Sequence, residues 1–225
     1  MAEITKSVIG NISGTLGNMV FRNIGGKVII YTRPHNQKIS YTDKSVKNRG
    51  KFGMASLLST NALWFPGIKE VWNSSNLGGR SAYTKIIKFN AKSVEADRLT
   101  IKNDIVPLGK RLTVNSFSLT SEKFEIDFNT DNFQNITQPY NACLLIFLYD
   151  LKNPATGSNH YFIKDTLIIN DGITSGNKNL QFIMSNTYSA EISLYNKAVI
   201  FFALTKTTSR EVYWTTNFKT ETLLT

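Results

Sequence analysis

Residues 143–149 read Cys-Leu-Leu-Ile-Phe-Leu-Tyr, the longest uninterrupted apolar run in a chain of 225 residues. The run is far shorter than a bilayer core, so it predicts a strand in a protein core and not a membrane span. Six further segments around it favour strand: residues 112–117, 123–128, 160–169, 180–184, 198–205 and 211–218. Turn-rich spacers such as Asn153-Pro154-Ala155-Thr156-Gly157 and Asn170-Asp171-Gly172 punctuate them. Phe124-Glu125-Ile126-Asp127-Phe128 alternates apolar and acidic residues, which places Glu125 and Asp127 on a solvent face. Residues 199–204 form a second continuous apolar run. Seven short strands at this spacing predict an antiparallel β-sandwich of immunoglobulin or fibronectin type over residues 112–225. With Cys143 the only cysteine, the antibody Cys…Trp…Cys signature is absent and the label is architectural.

The first half reads differently. Residues 18–22 and 27–32 predict a β-hairpin, with Gly25-Gly26 able to take the positive φ angles of a tight turn. Pro34 ends the second strand. Val28, Ile29, Ile30 and Tyr31 are consecutive, uncharged and β-prone, so they form a strand buried on both faces or paired with another chain. They are the candidate self-association strand. Thr42 or Asp43 caps a helix to about Trp64, with Val46, Gly50, Met54, Leu57 and Leu58 on one face, and Pro66-Gly67 ends it. Ser81 caps a second helix that buries Tyr83, Ile86, Ile87 and Val94. The fold class is therefore α+β, with a basic β-hairpin and helical unit over residues 1–111 followed by the sandwich.

Charge follows the same division. Residues 1–113 hold 18 Lys/Arg against 6 Asp/Glu, and residues 114–225 hold 8 against 10, within a net charge of +10. Such asymmetry points to a polyanionic partner or to docking between copies of opposite charge. Lys44, Lys47, Arg49 and Lys51 on the first helix, and Lys85, Lys88 and Lys92 on the second, are candidate polyanion contacts. Tyr31, Tyr41 and Phe52 could stack on bases. The competing reading, that these lysines are solvated helix faces, is somewhat stronger, because no known nucleic-acid motif accompanies them.

No catalytic, cofactor-binding or metal-binding residue can be assigned. Gly10, Gly14 and Gly17 are spaced four and three apart, which fits no dinucleotide fingerprint, and Gly26-Lys27 is followed by Val28 where a phosphate loop needs Ser or Thr. His35 and His160 are the only histidines and have no nearby partner for a zinc site. Cys143 lies in an apolar run and reads as a core residue, not a nucleophile. The Asn-x-Ser/Thr matches at Asn11, Asn73 and Asn135 are expected by chance in a chain rich in Asn, Ser and Thr. Residues 1–11 lack a secretory h-region, so the expectation is cytoplasmic synthesis, with a phage-like particle or another export route as later settings.

The block Gly14-Thr15-Leu16-Gly17-Asn18-Met19-Val20-Phe21, followed by Gly26-Lys27 and Arg33-Pro34, resembles the opening of a Bacteroidetes family known as a domain of unknown function. Arg49-Gly50-Lys51-Phe52, Ala82-Tyr83-Thr84-Lys85 and the strand pair 198–205 and 210–216 extend the resemblance over nearly the whole chain. It implies no activity. Residues 34–48 are less basic than that family's pattern, which argues against a dedicated nucleic-acid arm. Taken together, the sequence predicts a non-enzymatic structural protein that forms homo-oligomers: a filament, a phage-like particle or a surface array. The alternative is a nucleic-acid-associated protein. No cofactor, membrane span or small-molecule substrate is expected.

Overall fold

The computed structural model describes residues 2–4, 13–24, 27–33, 39–107, 110–131, 140–155, 158–170, 176–207 and 212–224. Two compact units divide the chain, Met1–Thr42 and Asp43–Thr225. The boundary expected at 111/112 thus falls at 42/43.

In the first unit, β1 (Ala2–Ile4), β2 (Gly14–Leu16), β3 (Met19–Ile24) and β4 (Lys27–Thr32) form a four-stranded antiparallel sheet in the order β1-β4-β3-β2. The expected hairpin is present as β3 and β4, and its register closes at Ile24 opposite Lys27. The Gly25-Gly26 turn lies outside the described residues. Leu16 faces Met19 across a two-residue turn in which Gly17 has φ +56°, the left-handed value such a turn needs at its first position.

The second unit is layered. On one side lie α1 (Asp43–Ala62), α2 (Pro66–Ser74) and α3 (Ala82–Asn90). In the middle, β5 (Lys110–Arg111), β8 (Tyr140–Leu151), β9 (His160–Ile169), β11 (Tyr195–Thr207) and β12 (Val212–Leu223) form a five-stranded sheet in the order β5-β12-β11-β8-β9. On the far side, β6 (Thr113–Leu119), β7 (Lys123–Asn129) and β10 (Asn177–Ile183) form a three-stranded sheet ordered β10-β7-β6. All seven strands expected beyond residue 112 are present, and a fourth helix, α4 (Asn186–Leu194), joins β10 to β11.

The apolar runs in β8 and β11 explain the layering. Side chains alternate along a strand, so a strand covered on both faces reads as continuously apolar. In β8, Ala142, Leu144, Ile146 and Leu148 enter the core shared with the three-stranded sheet, while Cys143, Leu145, Phe147 and Tyr149 enter the core shared with the helices. In β11 the same division separates Ala198, Ile200, Phe202 and Leu204 from Val199, Phe201 and Ala203. On the sheet-to-sheet side Phe202 meets Phe128 and Phe182, with ring centroids 5.9 and 6.2 Å apart. The helices are therefore continuous with the sheet and do not belong to a separate basic head. Glu125 and Asp127 occupy the outer face of β7, as the alternation requires, opposite the inward Phe124, Ile126 and Phe128.

Two helix expectations need correction. Only the second half of α1 is buried, through Met54, Ala55, Leu58, Ser59 and Ala62, while Val46 and Leu57 are 50% and 37% exposed. Pro66 does not merely end a helix. It stands at the first position of α2, where its missing N–H is harmless. Ser81 caps α3 as expected, and it forms a capping box in which its hydroxyl accepts from Thr84 N and Thr84 Oγ1 accepts from Ser81 N.

Candidate functional site

The candidate self-association strand is β4. It is not an edge: β1 pairs with it through Ala2–Ile30, Glu3–Ile29 and Ile4–Val28, and β3 occupies its other side. Pairing with another chain along Val28, Ile29 and Ile30 would have to displace β1. The faces of the sheet are a different matter. Leu16, Met19, Phe21, Val28 and Ile30 share one face, and Val20, Ile24, Ile29 and Tyr31 share the other. Leu16 is 67% and Met19 44% exposed, although Val28 is buried. On the second face Arg22, Ile24, Ile29 and Tyr31 line an apolar recess of about 240 Å³, with the Arg22 guanidinium 5.6 Å from the Tyr31 ring centroid.

The seven candidate polyanion contacts separate into three groups. Lys85 is buried, and its ammonium donates to the carbonyls of Trp72, Asn73 and Ser75 at 3.0, 2.9 and 2.6 Å. It closes the C-terminal end of α2, where a cation complements the helix dipole, and is unavailable to a ligand. Lys44, Lys47, Arg49 and Lys88 are exposed. Lys51 and Lys92 converge.

Their meeting place is a recess of about 330 Å³ between α1, the end of α3 and the irregular segment that follows. Its charged lining is Lys51, Lys92, Glu95, Arg98, Lys102 and Glu221. Gly50 brings α1 onto this segment, because a Cβ at that position would lie 2.6 Å from the Ala96 carbonyl oxygen. Asn90 fixes the far end of the segment: its Nδ2 donates to Asp104 O at 2.9 Å and its Oδ1 accepts from Asp104 N at 2.8 Å. Lys219 of β12 donates to Asn103 O at 3.0 Å and pairs with Asp104 at 2.7 Å. A loop held at both ends thus presents its side chains from a fixed backbone.

Within the recess Arg98 Nε pairs with Glu95 Oε2 at 2.7 Å. That bond holds the Glu95 carboxyl below its ordinary range against the opposing effect of burial, and the charges of Arg98, Lys102 and Lys47 add to it. The Tyr149 hydroxyl donates to Glu221, and burial, with the hydrogen bond and charge of Glu221, raises its pKa. Both carboxylates are therefore engaged. Lys51, Lys92 and Lys102 make no ion pair among the described residues. Sequence reading reached Lys51 and Lys92 through helical spacing, but it missed Arg98 and Lys102, which lie in a segment with no periodicity.

The other sequence candidates carry no site. Cys143 is buried, and burial pushes its thiol up to about 12. His160 packs its ring 5.7 Å from Phe147 and 6.1 Å from Phe162, and burial lowers its pKa. His35 lies outside the described residues. Asp131 accepts from Asn129 Nδ2 at 2.8 Å in a local turn. Among the described residues no group of three or more His, Cys, Asp or Glu is arranged to hold a metal, and no helix is long and apolar enough to cross a membrane.

No family model and no curated protein matches the chain. Among solved structures it is similar to a selenomethionine-labelled β-glucosidase from Kluyveromyces marxianus, with 12% identity, a TM-score of 0.21, and coverage of 55% of this chain and 17% of that one. The glucose complex of the same enzyme gives 11% identity, a TM-score of 0.21, and coverage of 54% and 16%. The chain thus spans about a sixth of the length of these enzymes. At that TM-score the likeness carries no argument about fold or activity.

Proposed function

We propose that the protein is a non-enzymatic structural protein that self-associates through its N-terminal sheet, in a filament, a phage-like particle or a surface array. One observation carries the reading: the unit Met1–Thr42 is a four-stranded sheet with apolar side chains on both faces. Among its described residues no helix or second sheet covers either face. Apolar side chains on both faces of a sheet stay in water unless another surface covers them, and burying them is favourable. Exposed apolar residues at Leu16, Met19 and Ile24, and the recess beside Tyr31, give a second copy a surface to bury. The faces, not the edge of β4, are the contact.

The second unit supplies the rigid body of each copy. We read residues 112–225 as a sandwich of fibronectin or immunoglobulin type. Supporting this, β6-β7, β8-β9 and β11-β12 pair as neighbours within a sheet, whereas the connections β7 to β8, β9 to β10 and β10 to β11 change sheets.

Light scattering coupled to size-exclusion chromatography, with negative-stain microscopy, tests the proposal. The full chain is expected to elute as an oligomer at low salt, and Leu16→Glu with Ile29→Lys to shift it to monomer without loss of the circular-dichroism signal. A full chain that stays monomeric at high concentration would refute it.

A further inference from the structure

We infer that the recess between α1 and the segment after α3 is a binding site for a compact polyphosphate-type anion. Lys51, Lys92 and Lys102 point to it from three separate stretches of chain, and none has an ionic partner among the described residues. Of the two carboxylates in the lining, Glu95 is paired with Arg98, whereas Glu221 accepts from the neutral Tyr149 hydroxyl and keeps its charge. Four cations, Lys51, Lys92, Arg98 and Lys102, against these two carboxylates leave net positive charge within a concave space of about 330 Å³, at the small end of the range for ligand pockets. Thr100 and Ser93 add hydroxyl-bearing residues to the same wall. A flat solvated lysine face needs none of this. The loop here is braced by Asn90 and Lys219, so the cations are presented by a backbone that does not have to be ordered on binding.

The ligand class follows from the donors. Lysine ammonium groups act as point charges that suit phosphate oxygens, and Arg98 can add a planar fork once its hold on Glu95 is shared. Several separated cations favour a ligand with two or more phosphates over orthophosphate. The volume suits a di- or triphosphate moiety better than the extended backbone of a nucleic acid.

Calorimetric titration of the full chain with sodium tripolyphosphate at low ionic strength tests this. Saturable binding near one per chain is expected, with orthophosphate much weaker. Lys92→Ala and Lys102→Ala should each weaken binding by about tenfold, the loss of one charge-assisted hydrogen bond. Glu95→Gln should tighten it by freeing Arg98. Lys178→Ala, on the opposite sheet, should leave it unchanged. Thermal unfolding by circular dichroism establishes that each variant is folded. Absence of saturable binding, or binding indifferent to Lys51, Lys92 and Lys102, overturns the inference. So does a 20-mer single-stranded DNA that binds through these same lysines while tripolyphosphate fails to compete.

Discussion

Replacing Lys85 with Met should destabilise the second unit substantially, although a sequence reading lists Lys85 with the solvent-facing lysines of α3. The side chain is 9% exposed, and its ammonium is held by three carbonyls at the end of α2. Methionine keeps the stem's bulk but removes all three donors. Hydrogen bonds to a charged group contribute about 1.5–3 kcal/mol each when removed singly, but three on one ammonium share a single desolvation cost and do not add. Trp72 O keeps a donor in the Ser75 hydroxyl at 2.8 Å, and Asn73 O and Ser75 O can turn to water, so the cost is that of the charge-assisted bonds themselves and no carbonyl is orphaned. The expected loss is about 1.5–3 kcal/mol, or roughly 3–12 °C in Tm for a unit of this size. Urea denaturation followed by circular dichroism measures it, with Lys88→Met on the exposed face of α3 as the comparison, expected within about 0.5 kcal/mol of wild type. If Lys85→Met and Lys88→Met are indistinguishable, the closure of α2 by Lys85 is wrong.

Other outcomes follow from the same packing. Gly67→Ala should destabilise by about 1–3 kcal/mol, because its Cβ would stand 2.5 Å from Thr205 Oγ1; adding Thr205→Ala should recover part of the loss in chemical denaturation. Cys143 should resist an aromatic disulfide reagent at pH 8 in the native state and react fully in denaturant, since burial pushes its thiol up to about 12. His160 sets a pH dependence. Its folded pKa is depressed by burial, so below about pH 6.5 the unfolded chain takes up its proton first and stability falls as pH falls toward the folded value. His160→Phe should flatten that part of the stability–pH curve relative to wild type.

The comparison of sequence with structure is most instructive at β4 and β11. Both are apolar runs of strong β propensity, and local chemistry establishes each as a strand. It cannot say what lies beside them. β11 is apolar throughout because helices cover one face and a second sheet the other, and β4 is interior because the three residues Ala2–Ile4 pair with it. The division between compact units was equally hidden, since the charge change near residue 113 reflects composition, whereas contact between α1–α3 and β8 and β11 decides which segments share a core.

What the sequence determined by itself was local: seven strands from their period and turn residues, the hairpin at 18–32, and the start of α3 from Ser81. These depend on interactions within a few residues, which the order of residues specifies directly. The tertiary structure alone decided which strands became edges, which face of α1 was covered, and that Lys85 would seal a helix while Lys51 and Lys92 came together with Arg98 and Lys102. Those outcomes join residues tens of positions apart, and helical spacing that puts Lys85 beside Lys88 carries no information about the α2 carbonyls that fold over it.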